Sequence, residues 1–174
     1  MTTPSSTPGS LPAGIYRIDP ERSTVHANVK AMFGLLTVKG TFRLKDGEVQ
    51  IADDPARSTI RATIDATSYA SGNDKRDRDV TSPALLDAVA YPEIVFTATT
   101  MRPEGSGWAV DGSLTAHGTT NAAAVRVSEV SVDGAVTHFH ASADLDRNPF
   151  GVTGKKGMVG SSVAVHIDAV AVRT

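Results

Sequence analysis

The sequence predicts an all-β protein: one antiparallel up-and-down barrel with a short helical insertion around residues 73–90. Three observations predict it. Apolar and polar residues alternate along much of the chain, which calls for strands with one dry face and one wet face. Tight-turn signals punctuate these runs. Between Ser71 and Ala90 the alternation breaks and charges crowd together.

The elements follow in chain order. Residues 1–12 are rich in Pro, Ser and Thr and too poor in apolar side chains to offset ordering entropy, so a flexible tail is expected there, with one domain over 13–174. Gly14 to Asp19 reads as a short strand ending at the Asp19-Pro20 turn. Strands follow over 23–32 and 36–45, with Val25, Ala27, Val29 and Ala31, then Val38, Gly40, Phe42 and Leu44, on the dry face. Lys45-Asp46-Gly47-Glu48 reads as a hairpin turn. A strand over 58–67 carries Ile60, Ala62, Ile64 and Ala66 inward.

Asn73 or Asp74 is placed to cap a helix, and Ser82-Pro83 to start a second short one, with Val80, Leu85, Leu86 and Val89 as the buried side. Tyr91-Pro92 ends the stretch. Strands resume over 93–101 and 107–116, then from a turn at Gly118–Asn121 to about Val132. Asp133-Gly134 is a second hairpin turn, followed by a strand bearing Phe139, Ala141, Ala143 and Leu145. A Gly-rich loop spans 147–160, and the last strand runs from Ser162 to Val172. Ala and Gly are poor strand formers, yet they recur on the dry face. Small inward residues such as Ala62 and Ala98 leave volume inside a closed sheet.

Composition narrows the function. There are no cysteines, which removes disulfides, thiol catalysis and cysteine metal sites. A net charge of −2 over the whole chain gives no electrostatic footprint for nucleic acid or an anionic membrane. No apolar run is long enough for an integral membrane segment. The N-terminus lacks the basic and apolar regions of a secretory signal, so a cytoplasmic location is expected.

Several stretches resemble the YceI-like family. Tyr16-Arg17-Ile18-Asp19-Pro20 and Val38-Lys39-Gly40-Thr41-Phe42 are similar to its opening. Ser68 to Asp77, Leu85-Leu86-Asp87 and Tyr91 to Phe96 match its middle. Gly112 to Thr120, and Leu145 to Val152 with its Arg–Phe–Gly loop, follow in order. The resemblance implies a lipocalin-like barrel of about eight strands. It also implies binding of polyisoprenoid lipids, such as prenyl quinones or prenyl phosphates, in a tunnel-like cavity. Arg22, Ala31, His117 and Ser161-Ser162 depart from residues usual in that family.

The expected ligand-binding set has two parts. The apolar part is Phe33, Leu35, Phe42, Ile64, Leu86, Phe96, Trp108, Leu114, Phe139, Phe150 and Met158. The polar rim is Asn73, Arg76, Asp77 and Arg147, with Arg76 oriented by Asp77 toward a phosphate or quinone oxygen. A plainer reading of 73–78 is a solvated, self-neutralising helix start. The segment Gly151–Gly160, with Lys155 and Lys156, reads as a mobile gate or as a simple connection. It is not a phosphate loop.

His138 and His140 share a strand face, and a closed barrel would pair His26 with His166. All four fall on the outward register with no Cys or carboxylate motif around them, so no metal site is expected. His117, before a turn, should face solvent. There is no Gly-x-Ser-x-Gly elbow, and inward positions carry almost no titratable groups, so no catalytic residue and no cofactor are expected. Three readings stay open: a non-enzymatic carrier, store or buffer of an amphiphilic small molecule; a hydrolase or isomerase of a lipidic substrate; and a filled structural barrel. Dimers through loops or outer faces are also open.

Overall fold

A computed structural model of the chain describes residues 11–105, 107–155 and 158–174, apart from the side chain of Glu129. Most of the expected tail therefore lies outside the described residues, as do Lys156 and Gly157 of the expected gate.

The strands are β1 (Gly14–Ile18), β2 (Thr24–Ala31), β3 (Leu36–Ile51), β4 (Thr59–Ala70), β5 (Glu93–Glu104), β6 (Gly107–Ala116), β7 (Thr119–Asp133), β8 (Val136–Asp146) and β9 (Val159–Arg173). Consecutive strands from β2 to β9 pair antiparallel, and β2 pairs with β9 to close an eight-stranded barrel. β1 and β2 share one place in the ring. Both lie between β3 and β9, separated by a 3₁₀ turn at Pro20–Arg22. Asp19 caps that turn by accepting from Glu21 N at 3.0 Å. Closure satisfies the backbone groups that an open sheet would leave at its edges. His26 pairs with His166 across the closing seam, as the barrel reading requires.

Both ends of the barrel have a distinct character. The upper end carries the β2–β3 hairpin, the long β4–β5 insertion, the β6–β7 turn and the β8–β9 loop. The lower end carries the β3–β4, β5–β6 and β7–β8 connections and the start of β1. The Asp133-Gly134 turn forms there, with Gly134 at φ 62°.

In the insertion, α1 (Asp74–Thr81) starts at Asn73, whose Oδ1 accepts from Arg76 N at 3.0 Å. The second expected helix does not form. Residues 82–90 make a series of turns instead, and the expected buried side holds for Leu85 but not for Val89, which is 95% exposed. Leu85 N donates to Ser82 O and Asp87 N folds back to the same oxygen, which closes the chain before a helical turn can propagate.

The expected turn at Lys45–Glu48 is also absent, because β3 continues through it to Ile51. A bulge between Leu44 and Asp46 absorbs the irregularity. Gly47 serves a different purpose from a turn: a Cβ there would lie 2.6 Å from Ile18 Cδ1, so its bare backbone admits β1. The real β3–β4 connection runs through a 3₁₀ turn at Pro55–Arg57, capped by Asp54.

Candidate functional site: an apolar cavity

The barrel interior is divided rather than filled. At the lower end Tyr16, Met101, Trp108, Val110 and Ala171 pack into one buried cluster with Val49, Ile51, Ala98 and Val127. At the upper end Leu85, Phe150 and Val152 pack against Leu114, Ala116 and Ala123. Between them lies a cavity of about 310 Å³, at the small end of the usual range for ligand pockets. Ala27, Val29, Ala143, Val163 and Val165 line it from β2, β8 and β9. They point inward yet remain half-exposed, and the surface they keep is the cavity itself. Among the described residues Tyr69, Asp146 and Arg147 are the only polar ones in the lining apart from Trp108. An apolar wall of this kind suits an apolar guest: an engineered apolar cavity of roughly 150 Å³ takes up benzene.

The sequence-derived lining set divides cleanly. Phe42, Ile64, Leu86, Phe96, Trp108, Leu114, Phe139 and Phe150 all line the cavity. Phe33, Leu35 and Met158 do not point inward: they are 87%, 83% and 55% exposed. Phe33 and Leu35 lie in the β2–β3 hairpin turn, where Met32 and Phe33 both adopt positive φ, and Met158 lies beside that turn. Strand alternation does not reach into a turn, so it could not assign them a face. Ala98 belongs to the packed floor rather than the wall.

The inward glycines are not voids either. A Cβ on Gly40 would sit 2.2 Å from the Tyr69 ring, and one on Gly112 would sit 2.7 Å from Phe96. These glycines seat aromatic rings, and the hollow comes from the Ala and Val positions.

The rim also differs from expectation. Arg147 is 8% exposed, and its guanidinium points into the protein. It donates to the carbonyl oxygens of Val152 and Gly154 at 2.8 Å, Val159 at 2.9 Å and Gly160 at 2.9 Å. Four of its five N–H groups are thereby engaged in shaping the β8–β9 loop. Burial lowers its pKa, with Asp146 acting the other way, but a guanidinium stays charged. In its described parts the loop is thus tied to Arg147 on both of its arms. It also presses on the insertion: Gly154 lies where a Cβ would meet Ala84 O at 1.8 Å, and Lys155 Nζ is 3.2 Å from Asp79.

Asp77 does not orient Arg76. Its Oδ1 accepts from Ser71 N at 2.9 Å and Ser71 Oγ at 2.6 Å. Asn73 is the helix cap. Arg76 is half-buried, and its guanidinium has no hydrogen-bond or ion-pair partner among the described residues. The residue that sequence reasoning missed is Tyr69. Its ring lies 5.2 Å from that of Phe42 on the cavity wall. Burial raises its pKa, the Asp77 carboxylate adds to the rise, and Arg76 and Ser71 oppose it. Tyr69 lines the cavity, whereas Arg76, on α1, is not among its lining residues. Counting on from the inward Ile60, Ala62 and Ile64 puts Tyr69 on the wrong face. The irregular stretch between Asp65 and Ala70, where Ser68 Oγ takes Arg43 N, reverses the parity.

Outside the barrel, His26 lies 3.4 Å from Asp168 and His140 meets the same carboxylate. His117 is not free in solvent. Its ring packs at a tilt of 56° against Tyr91, with centroids 4.9 Å apart, and its Nδ1 lies 3.2 Å from Phe150 O.

Comparison with known proteins agrees with this architecture. The model of the YceI-like domain matches residues 16–171. The chain is 31% identical over 114 residues to Protein YceI of Escherichia coli, covering 64% of this chain and 60% of that protein. It is 29% identical over 116 residues to Protein YceI of Salmonella arizonae, covering 66% and 61%. The matched stretch thus spans about three-fifths of these relatives. Among solved structures, Burkholderia cenocepacia BcnA superposes with a TM-score of 0.79 at 26% identity, covering 88% of this chain and 98% of BcnA. A polyisoprenoid binding domain from Saccharophagus degradans shares the fold at a TM-score of 0.68 and 13% identity, covering 94% of this chain and all of that one. With a matching domain model across nearly the whole barrel and the same fold in these neighbours, the chain belongs to the YceI-like domain family.

Proposed function

We propose that this protein binds a polyisoprenoid or similar amphiphilic lipid, such as a prenyl quinone or prenyl phosphate, and acts as its carrier, store or buffer without chemical turnover. The observation that carries this reading is the apolar cavity of about 310 Å³. Each methylene moved from water into such a wall contributes about 0.8 kcal/mol before ordering costs. Branched isoprene units suit a wall of Ala, Val, Ile and Phe, which selects girth rather than exact chemistry. Tyr69 and Arg76 supply a donor and a cation for a carbonyl or phosphate oxygen at the rim. The polyisoprenoid binding named for the Saccharophagus domain supports the same class of ligand. No acid–base pair or activated nucleophile lines the described cavity, which favours binding over turnover. A cytoplasmic site of action belongs to this proposal and is checked by cell fractionation.

The test is organic extraction of the purified protein followed by mass spectrometry, together with uptake of a prenyl quinone. A prenyl lipid in the extract, and saturable uptake lost in Ala62→Phe, are expected. An extract free of lipid and no uptake by the wild type would reject the reading.

A further inference from the structure

Apolar residues that the barrel leaves outside are concentrated at one end. Of the eight exposed large apolar residues among the described residues, only Val132 lies at the lower end. Met32, Phe33, Leu35, Leu36 and Met158 form a single tip, because Met32 N donates to Met158 O at 2.8 Å and Ala31 pairs with Val159. The tip stands beside the cavity: Val29 and Val159, next to it on β2 and β9, both line the wall. A left-handed turn through Met32, Phe33 and Gly34 holds Phe33 at 87% exposure.

Two unpaired cations stand in the same place. Between Glu21 and Asp46 the chain has no carboxylate; of its cations Arg22 pairs with Asp19 before β2 begins and Lys45 pairs with Glu93, which leaves Lys30 and Lys39 as the cations beside the tip. Lys30 and Lys39, exposed on the two arms of the hairpin, have no ion-pair partner among the described residues. The net charge of −2 conceals this local asymmetry.

We infer that the β2–β3 tip is a membrane-docking element: Phe33, Leu35 and Met158 enter the interfacial layer of an anionic lipid bilayer while Lys30 and Lys39 meet its head groups. An apolar apex with flanking lysines matches both layers of such a surface. A protein or a second copy of the chain would match the apolar apex but gives no role to the two unpaired lysines, Lys30 and Lys39, that flank it. The inference rests on the lipid-binding reading, since docking beside the cavity is how an insoluble ligand would enter without crossing water.

The test uses the full chain and vesicles of phosphatidylcholine, alone or mixed with phosphatidylglycerol. Co-sedimentation with the mixed vesicles is expected. The double variant Phe33→Ser/Leu35→Ser should partition roughly tenfold less or worse. Lys30→Gln/Lys39→Gln should lose roughly fivefold per charge on mixed vesicles only. Because the chain has no cysteine, Leu35→Cys carrying an environment-sensitive dye gives an independent readout, and its emission should shift to the blue on mixed vesicles. A wild type left in the supernatant, a serine variant that sediments like wild type, an unshifted dye, or a dimer abolished by the serine variant without vesicle binding would overturn the inference. Prenyl quinone uptake from solution separates the two proposals. Uptake without vesicle binding would remove docking alone, and vesicle binding without uptake would remove the cavity reading alone.

Discussion

In the lower half of the barrel Tyr16, Trp108, Val110 and Ala171 are at most 3% exposed. In the upper half Ala27, Val29, Ala143, Val163 and Val165 face the same interior and stay half-exposed to it. The strands are shared, so strand number does not decide between a filled core and a container. Side-chain size and the placement of bulges decide it. In β3, β5 and β7 the pairing slips after Leu44, Ala98 and Val127. Each slip reverses which residues face inward and turns Val49 and Ile51, Met101 and Val130 toward the floor. The shift in the β2–β9 pairing, between Val29 and Ala31, takes up two extra residues of β9 and keeps the inward parity, so it brings no bulk to the wall made by Ala27, Ala143 and Val165.

That contrast is open to attack from its strongest point. Trp108→Ala removes the largest side chain of the floor and should cost about 3–5 kcal/mol, read as a lower denaturation midpoint. A loss under about 1 kcal/mol would mean that the floor is not a packed core. Arg147→Ala leaves four loop carbonyls without their donor and should cost at least about 2 kcal/mol, with faster hydrogen exchange across 152–160. Unchanged exchange there would refute its role as the loop's anchor.

A matched pair of substitutions sharpens the comparison. Ala98→Phe overfills the floor and should cost about 1–3 kcal/mol. Ala143→Phe grows into the cavity and should leave stability within about 1 kcal/mol of wild type while blocking uptake. Equal costs would erase the distinction between the halves.

The smallest effect is in pH. Burial raises the Tyr16 and Tyr69 pKa values in the fold. Their contribution is therefore complete below the unfolded phenol value of about 10 and is lost as pH rises through the folded values. Denaturant midpoints should fall above pH about 10, and less so in Tyr69→Phe. An unchanged slope in that variant would remove Tyr69 from the buried rim.

The legibility of the sequence follows the same divide. Runs such as Val25 to Val29, Ile60 to Ile64 and Phe139 to Leu145 could be read because their alternation is unbroken, and they form the cavity wall. The reading stopped at bulges. Alternation alone ends β3 at Lys45 and sets Tyr69 on the outer face, since a slip in register leaves no mark in composition. The glycine signals were ambiguous for a related reason. Asp133-Gly134 makes a turn, while Asp46-Gly47 makes room for Ile18. Arg147 was legible as a notable residue, but its role depends on carbonyls up to thirteen positions away.

The most direct measurement uses the chain's single tryptophan, which lies at the edge of the cavity floor. Titration with a short-chain prenyl quinone should quench Trp108 fluorescence to saturation in the wild type and leave Ala143→Phe unaffected. Emission that stays constant in the wild type, or quenching of equal depth in both proteins, would contradict a hollow, lipid-accepting barrel.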